Sequence, residues 1–212
     1  VENVWSRPRR EPRQTLTLER IVAEAVALLD EEGVTGLTMR RLAERLGTGS
    51  TTLYWHVRTK EDVLDLALDA VFGEAPLPAA RPGEPWYEPV RALMGAWRSA
   101  LLCHPWSATV LDRPLLGPNA LARTEFLFQT LIAAGFPAPG GAAHSLAGFV
   151  TGSVISQVTW QERAGEEDVD VFLRERAGGW PALAAHGLAP DWDATFAEGL
   201  GYLLAGMEQA RS

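Results

Sequence analysis

Residues 38–60 read TMRRLAERLGTGSTTLYWHVRTK. Met39, Leu42, Ala43 and Leu46 recur at steps of three and four, which puts them on one face of a helix. Thr38 is placed to cap its start and Gly47 to end it. The residues GTGS then separate it from a short helix that carries Leu53, Tyr54 and Val57. Helix, tight glycine turn, short helix is the layout of a helix-turn-helix, whose second helix enters the major groove while the first crosses the backbone. Ser50, Thr51 and Thr52 stand at the N-terminus of the short helix, where free N–H groups and the helix dipole favour phosphate. Small hydroxyl side chains there approach phosphates or base edges closely. Tyr54 and His56 lie near the exposed face. Lys60, opening the next helix, and Arg40, on the helix before the turn, can each neutralise a phosphate. Any amphipathic helix pair around a glycine turn has the same pattern, so on spacing alone DNA binding and plain packing both stand.

Working outward, Leu18, Ile21, Val22, Ala25, Leu28 and Leu29 form another apolar helical face. Thr17 can cap that helix, Glu19 suits its positive end, and Gly33 can stop it. Residues 1–15 are polar, contain Pro8 and Pro12, and are expected to be a flexible arm. Downstream, Thr59 can cap a linking helix over about 60–75, with Glu61 and Asp62 in its first turn. Residues 16–62 therefore read as a three-helix domain that carries the candidate helix-turn-helix, the DNA-binding candidate, and 63–212 as a second, larger domain. Pro76, Pro78, Pro82, Pro85 and Pro89 crowd one segment, which reads as a loop because proline breaks helix interiors. Helical periodicity returns over about 90–103, 119–134, 140–163 and 191–210, with a shorter piece near 168–177. HPW, RPLLGPN, GFPAPGG and GGWPALAAHGLAP read as loops. With no alternating strand pattern and no repeat, the fold class is all-α, with nine or so helices in a small bundle feeding a larger one.

The 212 residues carry a formal charge of −8, with 47% hydrophobic residues, a normal globular balance. Charge is uneven: residues 1–60 hold 10 Arg/Lys against 8 Asp/Glu, and residues 61–212 hold 9 against 19. An acidic body with a locally basic N-terminal region fits a protein that meets DNA through one face. The single cysteine, Cys103, excludes an internal disulfide and fits a reducing cytosol. No apolar run is long enough to span a bilayer and no signal-peptide core is seen, so a cytoplasmic location on the nucleoid, with no membrane partner, is expected. The sequence has no phosphate-binding glycine loop, HExxH, CxxC or G-x-S-x-G. Its histidines, at 56, 104, 144 and 186, lack metal-ligand spacing. An enzyme is therefore not expected, and neither is a cofactor or metal; a helical interaction protein is the other alternative.

Three features occur together over residues 16–70: GVTGLTMRRLAERLG, then TLYWHV, then a lysine three residues after the valine. In this it resembles the N-terminal domain of the TetR family of bacterial transcription repressors. The resemblance implies that Arg40, Ser50, Thr51, Thr52, Tyr54, Trp55, His56 and Lys60 occupy DNA-contacting positions, with Thr38 capping the helix before the turn close to phosphate. Gly49 departs from the serine or other polar residue common there, which should weaken the cap slightly. ALLCHPW, GPN, LIAAGF, VTGSV and FAEGLGYLLAGMEQ, in that order over 85–210, are similar to the tetracycline-repressor-like branch. That resemblance implies a domain that binds a small effector and dimerises through a four-helix bundle, so that the homodimer meets a palindromic operator.

Two helical faces support dimerisation on their own: the apolar stripe Phe196, Leu200, Leu203, Leu204 and Met207, and the small residues Gly148, Gly152 and Ser156, which let another helix approach closely. For an effector, Trp97, Trp106, Phe126, Phe149 and Trp160 offer aromatic walls, with His104, Thr151 and Gln157 as polar partners. For each aromatic, packing in the core is the leading reading and a ligand wall the second. In tetracycline-binding members of the family, histidines and an asparagine hold a magnesium chelate. Pro76, Leu93 and Leu111 align there, so the resemblance implies a largely apolar effector bound without metal, with Leu111 on its wall.

Overall fold

The computed structural model describes residues 16–79, 81, 83–163, 171, 175–176, 178–186 and 191–211. The arm expected over 1–15 and most of the helix expected near 168–177 lie outside the described residues. Among those described, every regular element is helical, and the chain divides into two compact units between Leu64 and Asp65.

The first unit is built from α1 (Leu18–Gly36), α2 (Met39–Arg45), α3 (Ser50–Tyr54) and the start of α4 (Lys60–Glu74). Its core is Ile21, Ala25, Leu28, Leu29, Leu37, Leu42, Leu46, Leu53, Val57 and Val63, all buried. Each large apolar side chain fully buried this way contributes about 1.5–3 kcal/mol. The caps are local. Thr17 and Thr38 accept from the N–H groups of Arg20 and Arg41 at 3.3 and 3.2 Å. At α4 the capping is reciprocal: Thr59 Oγ1 accepts from Asp62 N at 3.0 Å, while Asp62 Oδ2 accepts from the N–H groups of Arg58 and Thr59 at 2.8 and 3.1 Å. α1 kinks at Gly33. α2 ends at Gly47, whose φ of 64° lets Gly47 N and Thr48 N donate back to Glu44 O and Ala43 O. A side chain there would be strained, because only glycine adopts this left-handed geometry freely.

The second unit continues with α5 (Tyr87–Cys103), a 3-10 turn over Pro105–Thr109, α6 (Pro118–Ala133), α7 (Pro139–Arg163), α8 (Pro181–His186) and α9 (Trp192–Arg211). α7 is its centre, packed on α5, α6 and α9. Leu146, Val150, Val154 and Val158, four apart, form its buried ridge. Three loop expectations are corrected. Pro89 lies in the first turn of α5, where a missing N–H has no intrahelical partner to lose. HPW enters the 3-10 turn. PALAAH forms α8, because proline presets φ for a first helical position and Ala and Leu favour the helix that follows.

Candidate nucleic-acid interface and ligand cavity

α3 and the turn that follows it, residues 50–57, divide their side chains sharply. Leu53 and Val57 are buried, anchoring it on the core, while Thr51, Thr52, Tyr54, Trp55 and His56 are exposed and Ser50 is half-buried. Trp55 exposes 84% of its surface and Tyr54 49%. Two large aromatics left in water beside one another mark a contact surface rather than a packing surface. Gly49 is the N-cap of α3 and makes no side-chain cap bond, so its first turn has no protein side chain over it. On α2, Thr38 and Arg40 are exposed, and Arg40 Nε donates to Glu44 Oε1 at 2.8 Å on the same helix.

The neighbouring arginines are committed within the unit. Arg45 pairs with Glu24 and Glu31, and Arg41 with Glu32, pinning α2 to α1. The Arg45 guanidinium holds the Glu31 carboxyl below the ordinary carboxylate range. Lys60 departs from a simple solvent-facing cation: its Nζ donates to Val34 O at 2.6 Å and is partly buried. An ammonium has three donors, so this bond fixes the group and leaves two.

Family models match both parts of the chain. Residues 21–67 match the model for bacterial regulatory proteins of the tetR family, and residues 77–211 match the tetracyclin repressor-like C-terminal domain. The chain belongs to the TetR family. Like its relatives in that family it is a helix-turn-helix transcriptional regulator. It is 47% identical to an HTH-type transcriptional regulator of Saccharopolyspora erythraea, over 96% of this chain and 90% of that one. It is 34% identical to the HTH-type transcriptional repressor DrrR1 of Streptomyces coeruleorubidus, over 98% and 84%. Among solved structures, the TetR family protein ActR of Streptomyces coelicolor in complex with actinorhodin superposes with a TM-score of 0.83 at 31% identity, covering 93% of this chain and 99% of that one.

In the TetR-like C-terminal domain, a cavity of about 280 Å³ opens between α5, α6 and α7, lined by Trp97, Thr124, Leu127, Phe128, Gly140, Ala143, His144 and Ala147. Of the nine residues expected around an effector, Trp97 alone lines it. The others are committed elsewhere or stand apart from it. Phe149 stacks on Phe196, with ring centroids 5.3 Å apart, and Trp160 meets Trp192 edge-on. Gln157 accepts from the buried Arg98, which also bonds Asp193 at 2.7 Å. His104 lies 3.1 Å from the Glu74 carboxylate. Trp106 and Leu111 are core residues, and Phe126 and Thr151 are half-buried. The sequence signal for the cavity was Gly140, Ala143 and Ala147, small residues at helical spacing on the α7 side of it.

A second groove, about 320 Å³, lies between α4 and residues 113–118. Its polar groups are already paired: Arg113 with Asp65 at 3.0 Å, and Asp69 with the start of α6. That second contact is one half of a clamp. Asp69 accepts from Asn119 N, Asn119 Nδ2 and Ala120 N at 3.2, 3.0 and 2.9 Å, capping α6 from α4. In return the buried Arg123 of α6 donates to Gly73 O at 2.8 Å and to Ala75 O, at the end of α4. Gly117 lets the helices meet, because a Cβ there would lie 2.2 Å from the Asp69 carboxyl.

The faces expected at a dimer interface are used differently. Phe196, Leu200, Leu204 and Met207 are buried within the single chain, where α9 packs on α7, and Leu203 is half-buried. A stripe at helical spacing buries equally well against its own chain, and here it does so. Gly148, Gly152 and Ser156 lie exposed along α7 beside the exposed Ile155.

Proposed function

We propose that this TetR-family regulator is a dimeric repressor that reads a palindromic operator through α3 and leaves it when a small, largely apolar effector enters the cavity between α5, α6 and α7. The observation that carries the reading is the partition of α3 and the turn after it, with Leu53 and Val57 buried beneath an exposed Thr51, Thr52, Tyr54, Trp55 and His56. Thr38, Arg40, Ser50 and Lys60 complete the surface, with phosphates as partners for the cations. The repressor DrrR1 and the actinorhodin complex of ActR support repression and response to a small molecule. The effector needs no metal: Leu93 and Leu111 are buried hydrocarbon at the aligned chelate positions. No catalytic step is assigned, and the site of action is the cytoplasmic nucleoid.

Dimerisation uses the exposed small-residue face of α7 at Gly148, Gly152 and Ser156, joined by Leu203 of α9. Signal transfer runs along α4, which carries Lys60 at one end and the Asp69–Arg123 clamp at the other. Displacing α6 by a guest therefore pulls on the helix that leads to α3. Operator and effector then oppose each other by one coupling free energy, roughly 1–3 kcal/mol. The test is a compound panel applied to the operator-bound protein, with tryptophan fluorescence followed beside DNA release. Compounds that change fluorescence should release DNA at matching concentrations; chelator-dependent release would refute metal-free binding.

A further inference from the structure

We infer that the run RPRREPR, residues 7–13, is a second DNA-reading element whose arginines enter the minor groove beside each half-site; this rests on the operator reading above. The folded helix-turn-helix body is short of positive charge. Residues 16–64 carry 6 Arg/Lys against 8 Asp/Glu, so the part that holds α3 is itself acidic. All three arginines of α2 are paired with glutamates: Arg40 with Glu44 at 2.8 Å, Arg41 with Glu32, and Arg45 with Glu24 and Glu31. A phosphate approaching any of them meets a carboxylate beside the cation. The other three cations, Arg20, Arg58 and Lys60, stand against four further carboxylates, Glu19, Asp30, Glu61 and Asp62. Affinity for DNA of any sequence rests largely on the number of phosphates neutralised, and this body neutralises few.

The missing charge lies just ahead of α1. Residues 1–15 hold Arg7, Arg9, Arg10 and Arg13 against Glu2 and Glu11, while the rest of the chain holds 15 Arg/Lys against 25 Asp/Glu. Pro8 and Pro12 keep an α-helix from running through these arginines, so the run meets DNA as an extended strand. Such a strand fits the minor groove, about 6 Å wide, which is too narrow for a helix. Narrow A·T-rich minor grooves concentrate negative potential and draw guanidinium groups in. Thr17 and the first residues of α1, Leu18, Glu19 and Arg20, are exposed, so the run joins the body at its surface. The ten residues from Arg7 to Thr17 span at most about 35 Å, the length of one turn of DNA, which brings the groove next to the one read by α3 within reach.

The test compares the full chain with a variant carrying Arg7→Gln, Arg9→Gln, Arg10→Gln and Arg13→Gln together, on a site selected from a random DNA pool. Matching thermal melts establish that both proteins fold alike. The slope of log affinity against log salt should fall by about two to four per subunit, and affinity at about 0.15 M salt by about a hundredfold or more. A charge merely near the duplex would also lower the slope, so the base pairs flanking each half-site are varied as A·T, G·C and inosine·C. Inosine·C keeps the major-groove pattern of G·C but lacks the amino group that G places in the minor groove. Wild type should bind A·T and inosine·C flanks alike and G·C flanks about fivefold or more weakly, whereas the variant should bind all three equally. An unchanged salt slope, or a wild type that treats inosine·C flanks like G·C flanks, overturns the inference. A wild type that selects no site at all would overturn the operator reading itself.

Discussion

Trp55 and Lys60 bring two kinds of side chain to the proposed operator surface. Trp55 and Tyr54 are exposed, so truncating either should leave the melting temperature nearly unchanged and act on DNA alone. Tyr54→Ala or Trp55→Ala is expected to weaken operator binding by about 1–3 kcal/mol if the ring meets a base edge, measured by anisotropy against an unchanged thermal melt. Lys60 is different because its ammonium also holds Val34 O. Lys60→Ala should reduce the salt slope by about one charge per subunit and also lower stability by roughly 1 kcal/mol, whereas Arg40→Ala should touch the slope alone. The three threonine caps were legible because a cap and its target lie three residues apart. The Lys60–Val34 bond was not, since its partners are 26 residues apart and meet only after α1 has kinked at Gly33. Asp62 supplies a pH test. Its carboxyl is held below its ordinary value, first by the Arg58 N–H and then by the Thr59 hydroxyl. A depressed folded-state pKa gives stability that is present above the unfolded value and lost as pH falls through the folded one. Acid melts of wild type should therefore drop more steeply below about pH 4 than those of Asp62→Asn; parallel curves would remove Asp62 from the account.

α4 and α6 are joined by charged side chains exchanged in both directions, Asp69 capping α6 and Arg123 bonding the end of α4. Asp69→Ala should cost about 1–2 kcal/mol, as loss of a helix cap does. It should also narrow the difference in operator affinity with and without effector, a loss of coupling that destabilisation alone does not produce. Binding curves for operator at zero and saturating effector give that difference directly, and an unaltered difference would take the clamp out of the signal path. At the α7 and α9 faces, two substitutions separate folding from assembly. Leu200 is 1% exposed, so Leu200→Glu should misfold or precipitate the chain by burying an unpaired charge. A Cβ at Gly152 meets nothing within 4 Å, so Gly152→Arg should yield soluble, folded monomers by sedimentation. A dimeric Gly152→Arg protein would place the interface elsewhere. Periodicity revealed both helices and their apolar faces, yet it left open whether the α9 stripe meets a partner or its own chain. Hydrophobic burial is non-directional and favours a neighbour within the chain as much as one outside it. The proline-rich stretch misled for a related reason: proline is unfavourable in a helix interior but neutral at a first turn, and only the three-dimensional start of α5 tells Pro89 from Pro85.

At the scale of the whole molecule, an acidic protein that binds DNA must restrict its contact to a small part of its surface. Residues 61–212 carry 9 Arg/Lys against 19 Asp/Glu, which disfavours unspecific attachment through the larger unit. Two copies of α3, offered by a two-fold dimer, turn a small reading surface into recognition of two half-sites. The family was legible in one stretch, residues 38–60, because a helix-turn-helix is local. The cavity between α5, α6 and α7 was not, because it is defined by how three helices pack rather than by a run of residues in one of them. The central claim is tested most directly by selecting bound sequences from a random DNA pool and titrating the protein on the selected site over a range of salt. The account predicts an inverted repeat, an even number of chains per site, and an affinity that falls linearly with log salt. Enrichment of no sequence, or a single chain bound on an asymmetric site, would contradict it.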